Sequence, residues 1–140
     1  MELASRERDD AIRALLEQLA EANLMERRLV EPTLQAILDR ERVGSTAIGR
    51  GVAVPHARLE GIEKTLVAFG YSSAGVAFNA LDGEAVHEIF LVVAPRASAG
   101  EYIEVMQRIT RLIQDQDFRR FVSRARCPAE VVDLIAEMDL

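Results

Sequence analysis

Hydrophobic positions recur at helical spacing through the first third of the chain. Ser5 can cap a first helix, and Asn23 tolerates the left-handed conformation that often closes one. The buried side of this predicted helix carries Ile12, Leu15, Leu16 and Leu19. A second helix is predicted to start at Pro32. Its buried side carries Leu34, Ile37 and Leu38.

The middle of the chain changes from helical to extended patterns. Residues 44–51 form a glycine-spaced loop, and the apolar run that follows it is predicted to stop at Pro55. A turn is predicted at 81–84, and the uninterrupted apolar run after it suits a strand that is covered on both faces. Extended segments are predicted at residues 52–54, 65–71, 76–78 and 89–94.

Helical spacing returns in the last third of the chain. One helix is predicted from Glu101 and another from Pro128. The first should bury Ile103, Met106, Ile109 and Ile113, and the second Val131, Val132, Ile135 and Met138. Helices at both ends with strands between them predict an α/β fold, a single domain over residues 1–140 with a buried sheet flanked by helices.

Composition narrows the possible functions. The chain has 140 residues with a formal net charge of −6, which argues against nonspecific binding to nucleic acid or to an anionic membrane. No apolar run approaches the ~20 residues that a membrane-spanning helix needs. Cys127 is the only cysteine, so neither an intrachain disulfide nor a cysteine-based metal site is predicted. The charged N-terminus lacks the apolar stretch of a signal peptide, so we expect a cytoplasmic protein.

His56 is the residue with the strongest case for chemistry. It follows a buried apolar strand and Pro55, at the edge of the sheet where α/β proteins place functional groups. Glycines at 49 and 51 would let the backbone approach a ligand, and Ser45 and Thr46 offer hydroxyls. Candidate guanidinium groups for an oxyanion are Arg40, Arg42, Arg50 and Arg58. An imidazole among these groups could act as a nucleophile that accepts a phosphoryl group.

Ordinary structural roles compete with this hypothesis. A lone histidine after a proline is more often a hydrogen-bonded loop residue, and glycine-spaced loops mostly serve as turns. Arg42, Arg50 and Arg58 are expected to be solvated, as most surface arginines are. His87, before a buried strand, is expected to be structural. From spacing alone, the role of His56 stays open.

A resemblance to a known family covers almost the whole chain. Residues 40–56 read RERVGSTAIGRGVAVPH and closely resemble the signature of the mannitol/fructose-type IIA proteins of the sugar phosphotransferase system, which include nitrogen-related regulatory IIA proteins. The likeness continues through DGEAVH at 82–87 and the run from Ile89 to Pro95, and reaches Phe118 and the last helix. The chain is therefore similar to a IIA phosphocarrier domain.

The resemblance implies a mixed central sheet with helices on both faces and a phosphohistidine relay. His56 would accept the phosphoryl group from the histidine phosphocarrier protein HPr and pass it to a separate IIB domain. Arg40 would be the active-site arginine. Ser45 and Thr46, with Gly49 and Gly51, would belong to the loop at that site. No cofactor and no metal are expected.

Two departures from the family pattern stand out. Tyr102 occupies the position where the family usually has a second active-site histidine, and a tyrosine hydroxyl donates a hydrogen bond but carries no positive charge. The strand that usually leads into the first helix is expected to be missing or trimmed. Tyr102 could equally be an ordinary aromatic residue at a helix start.

Three functions follow from these observations. The first is a phosphoryl carrier serving a sugar permease. The second is a nitrogen-related regulatory protein that binds a partner according to its phosphorylation state, which the loss of the second histidine favours. The third, a hydrolase with His56 as base, has little support because no nucleophile lies in a recognisable elbow.

Overall fold

The computed structural model describes residue 3 and residues 7–44, 47–49, 51–78, 84–97 and 99–115. The first helix, α1, spans Arg8–Glu21 and buries the predicted apolar side. Its N-cap is Glu7, so the prediction that Ser5 caps the helix is wrong. Asp9 and Asp10 lie in the first turn, where acidic side chains interact favourably with the helix dipole. After the helix Asn23 has a positive φ of 59°, as expected for a residue that closes a helix.

The second helix, α2, spans Val30–Val43 and follows a 3₁₀ turn at Arg27–Leu29. It begins two residues before the predicted start at Pro32, since proline is tolerated throughout the first helical turn. Its predicted buried side is confirmed for the first two positions, Leu34 and Ile37, whereas Leu38 is only partly buried.

A mixed five-stranded sheet forms the centre of the described structure. The strands are β1 (Ala47–Gly49), β2 (Val52–Ala53), β3 (His56–Leu59), β4 (Leu66–Val76) and β5 (Val86–Pro95). β5 is central: β2 and β3 lie parallel to it, and β4 pairs with it antiparallel. β1 pairs antiparallel with β2, so the predicted loop at 44–51 contains a strand of its own.

β2 and β3 form one interrupted line along β5. Val52 pairs with Glu88 and His56 with Val92, so the register is the same on both sides of the break. Pro55 lies at the break because it has no N–H to donate, but its carbonyl still accepts from the N–H of Val92 at 3.0 Å. The first strand therefore ends before Pro55, as predicted, but a second strand that was not predicted begins at His56 in the same register.

β4 is a single strand where two extended pieces were predicted. The pairing with β5 is irregular between Tyr71 and Val76, and Gly75 there has a positive φ of 91°. Leu3, which precedes α1, also lies beside this strand. The N–H of Leu3 donates to the carbonyl of Tyr71 at 2.7 Å, although we expected the leading segment to be missing or trimmed.

The third helix, α3, spans Ala99–Gln114, and the side that packs on the sheet agrees only in part with the predicted one. Ile103 is 52% exposed rather than buried. Met106 and Ile109 do face the sheet, and Tyr102, Val105 and Leu112 complete the packed stripe at intervals of three and four residues. The side chain of Ile113 lies outside the described residues.

Alternate residues of β5 divide the interior into two layers. Ile89, Leu91 and Val93 pack towards α1 and α2, whereas Phe90 and Val92 pack towards α3. This confirms an α/β fold with helices on both faces of a mixed sheet. Within the described ranges no helix is long and apolar enough to cross a membrane. Most of the turn predicted at 81–84 lies outside those ranges. The helix predicted from Pro128 lies wholly outside them.

Candidate functional site

His56 opens β3 on the face of the sheet that α3 covers. Its strand partner is Val92, whose side chain belongs to the layer between the sheet and α3. Because paired residues on neighbouring strands point to the same face, the imidazole points towards α3 as well. The side chain is half-buried, so the ring is packed on one side and accessible on the other.

The tautomer of His56 follows from its hydrogen bond. Nδ1 lies 2.8 Å from the carbonyl oxygen of Val54. A carbonyl can only accept a hydrogen bond, so Nδ1 carries the proton and donates it. The neutral ring then has its lone pair on Nε2, which makes Nε2 the nucleophilic nitrogen. Pro55 has a restricted φ, so it limits how the backbone between the donor and the acceptor can move.

Tyr102, in the first turns of α3, is the closest aromatic neighbour of this imidazole. The two ring centroids lie 5.8 Å apart with an interplanar angle of 51°. Burial raises the pKa of the Tyr102 hydroxyl, and the positive charges of Arg58 and Arg40 partly offset that rise. The hydroxyl is therefore protonated at neutral pH. Tyr102 stands beside the candidate acceptor, where the resemblance placed a second histidine.

Two guanidinium groups act on Tyr102. Arg40, at the C-terminal end of α2, donates from Nη1 to the carbonyl of Gly44 at 2.9 Å. Arg58, two residues after His56, places its Cζ 5.4 Å from the centroid of the Tyr102 ring. The end of α2 and the strand β3 thus each bring a guanidinium group close enough to act on Tyr102, at the start of α3.

These two arginines lack carboxylate partners among the residues that the structure describes. Other arginines do have them: Arg42 pairs with Asp39 at 2.8 Å, and Arg8 pairs with Asp9 at 3.0 Å. A chain with more acidic than basic residues therefore leaves uncompensated positive charge near one histidine. Such an arrangement favours an anion.

The residues of the predicted phosphate loop are only partly described. Ser45 and Thr46 lie outside the described residues. Gly49 pairs with Val52 in the β1–β2 hairpin. Gly51 has a φ of 77° in the turn of that hairpin, a conformation that favours glycine.

Gly51 lies next to His87. Its carbonyl accepts from the N–H groups of His87 and Glu88 at 2.7 and 3.0 Å. Five residues of extended chain separate it from His56, which corresponds to roughly 16 Å. Of the predicted site residues, Tyr102 lies beside His56, Arg40 acts electrostatically on Tyr102, and Gly51 lies near the second histidine.

The half-buried ring of His87 lies against backbone atoms. Its Nδ1 lies 2.7 Å from the carbonyl oxygen of Ser72, and a Cβ built on Gly75 would lie 3.3 Å from its Cε1. No arginine contact with its ring is found in the described part of the chain. This environment agrees with a structural role for His87.

Arg58 is among the candidate guanidinium groups named from the sequence, but it was expected to be solvated and its position near Tyr102 was not predicted. The available signal was the alternation of a β-strand, which places residues two apart on the same face. Sequence analysis ended the strand at Pro55, so the alternation was not applied beyond it. Across the described segments, no group of three histidine, cysteine, aspartate or glutamate side chains is placed to hold a metal ion.

Comparisons with known proteins agree with this geometry. The family described as "Phosphoenolpyruvate-dependent sugar phosphotransferase system, EIIA 2" matches residues 1–138. A nitrogen regulatory protein of Bradyrhizobium diazoefficiens is 31% identical over 123 residues, which cover 88% of this chain and 80% of that protein.

The fructose-specific EIIABC component of Bacillus subtilis is 29% identical over 139 residues, or 99% of this chain. The chain spans only 22% of the length of that relative. Among solved structures, the complex of enzyme IIA-mannitol with phosphorylated enzyme IIB-mannitol from Escherichia coli matches with a TM-score of 0.76 at 25% identity. That match covers 98% of this chain and 92% of the matched chain.

A family match over nearly the full length, together with the shared fold and a histidine in a cationic setting, leads to one conclusion: the chain belongs to the EIIA 2 family of the phosphoenolpyruvate-dependent sugar phosphotransferase system.

Proposed function

We propose that this protein is a cytoplasmic phosphoryl carrier that accepts a phosphoryl group on Nε2 of His56. The donor is the phosphorylated histidine of HPr, and the recipient is a separate IIB domain. The observation that carries the proposal is that His56 combines a free lone pair on Nε2 with a neighbouring Tyr102 ring that lies against the guanidinium group of Arg58.

The transfer is a displacement at phosphorus. The lone pair on Nε2 attacks the phosphorus of the donor phosphohistidine, and the bond between phosphorus and the donor nitrogen breaks. The donor nitrogen recovers its electron pair, and a new bond joins phosphorus to Nε2 of His56. When the phosphoryl group leaves for the next protein, the same events occur in the opposite sense at His56.

Positive charge near the imidazole would stabilise this step. The three equatorial oxygens of the transferring group carry negative charge, and guanidinium groups stabilise that charge. Arg40 is proposed to do so, and two observations support this role: its Nη1 donates to the carbonyl of Gly44, and its charge acts on Tyr102, the neighbour of His56. Ser45 and Thr46 follow Gly44 directly in the sequence and are proposed to contribute hydroxyl and N–H donors.

We expect Tyr102 to lower the rate of phosphoryl transfer. A histidine in its place could become cationic, whereas the tyrosine hydroxyl can only donate or accept a hydrogen bond. We therefore expect the protein to accept phosphate more slowly than family members that have two histidines.

Incubation with phosphoenolpyruvate, enzyme I and HPr tests the proposal. Intact mass, measured at alkaline pH where phosphohistidine survives, should increase by one phosphoryl group in the wild type and not in His56→Ala. Equal labelling of both proteins would place the phosphoryl group elsewhere. Absence of label in a folded wild type would contradict the carrier function.

A regulatory role is the second candidate. Two observations favour it: Tyr102 stands in place of the second histidine, and a nitrogen regulatory protein is among the relatives. In this role the phosphorylation state of His56 would control binding to a target protein.

Onward transfer and regulation can be separated experimentally. Phosphorylated protein mixed with IIB domains should lose its label to one of them if it serves transport. Retention of the label, with a bound target that is released on phosphorylation of the wild type but not with His56→Ala, would support regulation.

A further inference from the structure

We propose that Arg58, held in place by the ring of Tyr102, is a second guanidinium group that binds the oxygens of the phosphoryl group on His56. The inference rests on the proposed carrier function and extends it. It also assigns Tyr102 a role of its own, which is to position a cation that a histidine would otherwise supply.

The strand geometry brings Arg58 to the imidazole. His56 pairs with Val92 and Arg58 pairs with Ala94, and alternate residues of β3 point to the same face. Side chains two residues apart on a strand originate about 7 Å from each other. That separation leaves room for a phosphoryl group on Nε2, and the long side chain of an arginine can reach its oxygens.

The ring of Tyr102 lies close to both Arg58 and His56. Its centroid lies 5.4 Å from Cζ of Arg58 and 5.8 Å from the centroid of the His56 ring. A guanidinium group over an aromatic face is attracted by the π electrons. The stacked plane still presents its N–H groups at the edge, where they can donate to phosphate oxygens. Tyr102 therefore positions Arg58 and leaves its hydrogen-bond donors free.

The charge of Arg58 is available for a ligand. Its side chain is exposed, and no carboxylate of the described residues forms an ion pair with it. Arg96, by contrast, follows the end of β5 and lies 3.8 Å from Glu60. A phosphoryl group on His56 brings about two negative charges. Arg40 and Arg58 together would balance them.

A tyrosine suits this arrangement better than a histidine. A protonated imidazole at position 102 would repel the guanidinium of Arg58, whereas the neutral ring attracts it. Burial raises the pKa of the Tyr102 hydroxyl, which keeps the ring neutral.

Variants at both positions test the inference. We expect Arg58→Ala to reduce the initial rate of phosphoryl acceptance from HPr about tenfold, the loss of one charge-assisted hydrogen bond. Arg58→Lys should give an intermediate rate, since an ammonium group lacks the planar fork. Arg28→Ala is the matched control, because Arg28 is an exposed arginine on the α1–α2 connection and pairs with Glu26 at 2.5 Å.

Tyr102 variants distinguish positioning from a role of the hydroxyl. Tyr102→Phe keeps the ring face and should reduce the rate by less than threefold, whereas Tyr102→Leu should approach the rate of Arg58→Ala. The double variant Arg58→Ala/Tyr102→Leu should be no slower than Arg58→Ala alone, because the ring acts through the arginine. Thermal unfolding of every variant identifies any that fails to fold.

A second readout keeps the inference testable apart from the carrier function. Inorganic phosphate is titrated into the unphosphorylated protein while NMR follows the imidazole resonances of His56. Arg58→Ala should weaken phosphate binding about tenfold, as expected for the loss of one charge-assisted hydrogen bond, and Arg28→Ala should leave it unchanged.

Two results would overturn the inference. One is an Arg58→Ala protein that accepts phosphate, and binds inorganic phosphate, within twofold of the wild type. The other is a Tyr102→Phe protein as slow as Tyr102→Leu, which would assign the effect to the hydroxyl. If the folded wild type accepts no phosphoryl group from HPr, the proposed function fails, and the phosphate titration alone decides the role of Arg58.

Discussion

The two histidines of this chain have the same hydrogen bond and opposite surroundings. Each places Nδ1 within 2.8 Å of a backbone carbonyl, Val54 for His56 and Ser72 for His87. Each therefore has its lone pair on Nε2. Tautomer alone does not separate a phosphoacceptor from a structural histidine.

The residues around each ring make the difference. His56 bonds to a carbonyl two residues away, borders Tyr102 and has Arg58 on the same strand face. His87 bonds to a carbonyl fifteen residues away on the neighbouring strand and thereby ties β5 to β4.

Two glycines close the environment of His87. A Cβ on Gly51 would lie 3.5 Å from Cδ2 of His87, and one on Gly75 would lie 3.3 Å from its Cε1. The backbone of two glycines therefore lies against this half-buried ring, whereas Tyr102 and, through it, Arg58 lie near the ring of His56. A nucleophilic nitrogen becomes an acceptor only where an incoming phosphoryl group finds space and positive charge.

The largest effect is expected from removing the acceptor. His56→Ala should abolish phosphoryl acceptance, measured as the label from phosphoenolpyruvate through enzyme I and HPr. The variant should still fold, because the side chain of His56 is half-buried and does not belong to the hydrophobic cluster between the sheet and α3. Acceptance by His56→Ala at more than a few per cent of the wild-type rate would move the acceptor to another residue.

Arg40→Ala should have the next largest effect. Loss of a guanidinium that stabilises transferring phosphate is expected to lower the initial rate about 10- to 100-fold. Arg42→Ala is the matched control, because Arg42 lies in the same helical turn and pairs with Asp39. Equal rates for the two variants would remove Arg40 from the site.

Gly75→Ala should damage the environment of His87 and spare that of His56. The new Cβ would lie 2.8 Å from the Cβ of Ala85, at a φ of 91° that an alanine rarely adopts. We expect a loss of about 1–3 kcal/mol in the free energy of unfolding, measured by denaturant titration. Acceptance per folded molecule should stay near the wild-type level, and a tenfold loss would contradict the separation of the two regions.

His87→Gln should have the smallest effect on transfer. A glutamine amide can donate to the carbonyl of Ser72, so the loss of stability should be about 1 kcal/mol or less. The acceptance rate should lie within twofold of the wild type. A larger fall in rate at unchanged stability would give His87 a part in the chemistry.

Hydrophobic spacing predicted much of the fold, because the residues that a helix or strand buries are the apolar ones and recur with its period. The buried side of α1 and the fully covered strand β5 follow directly from their apolar patterns. Ile103 shows the limit of such patterns. Both Ile103 and Tyr102 fit the helical period of α3, and only the packing against the sheet selects Tyr102 for the buried side.

The candidate site was predictable only in part, because its geometry depends on the register in which β3 pairs with β5. The resemblance pointed to His56, Arg40 and the unusual position of Tyr102. Pro55 suggested the end of a strand, since a proline cannot donate to the ladder. In the structure β3 resumes beyond it in the same register, and this long-range pairing with β5 is what places Arg58 beside the histidine.

The central claim is that Nε2 of His56 carries the phosphoryl group, and NMR of the phosphorylated protein tests it most directly. Protein with ¹⁵N-labelled histidine is phosphorylated through HPr, and the coupling of ³¹P to each imidazole nitrogen is measured at alkaline pH. We predict coupling to Nε2 of His56, with Nδ1 still protonated and the resonances of His87 unchanged. Coupling to Nδ1 of His56, or to either nitrogen of His87, would contradict the account.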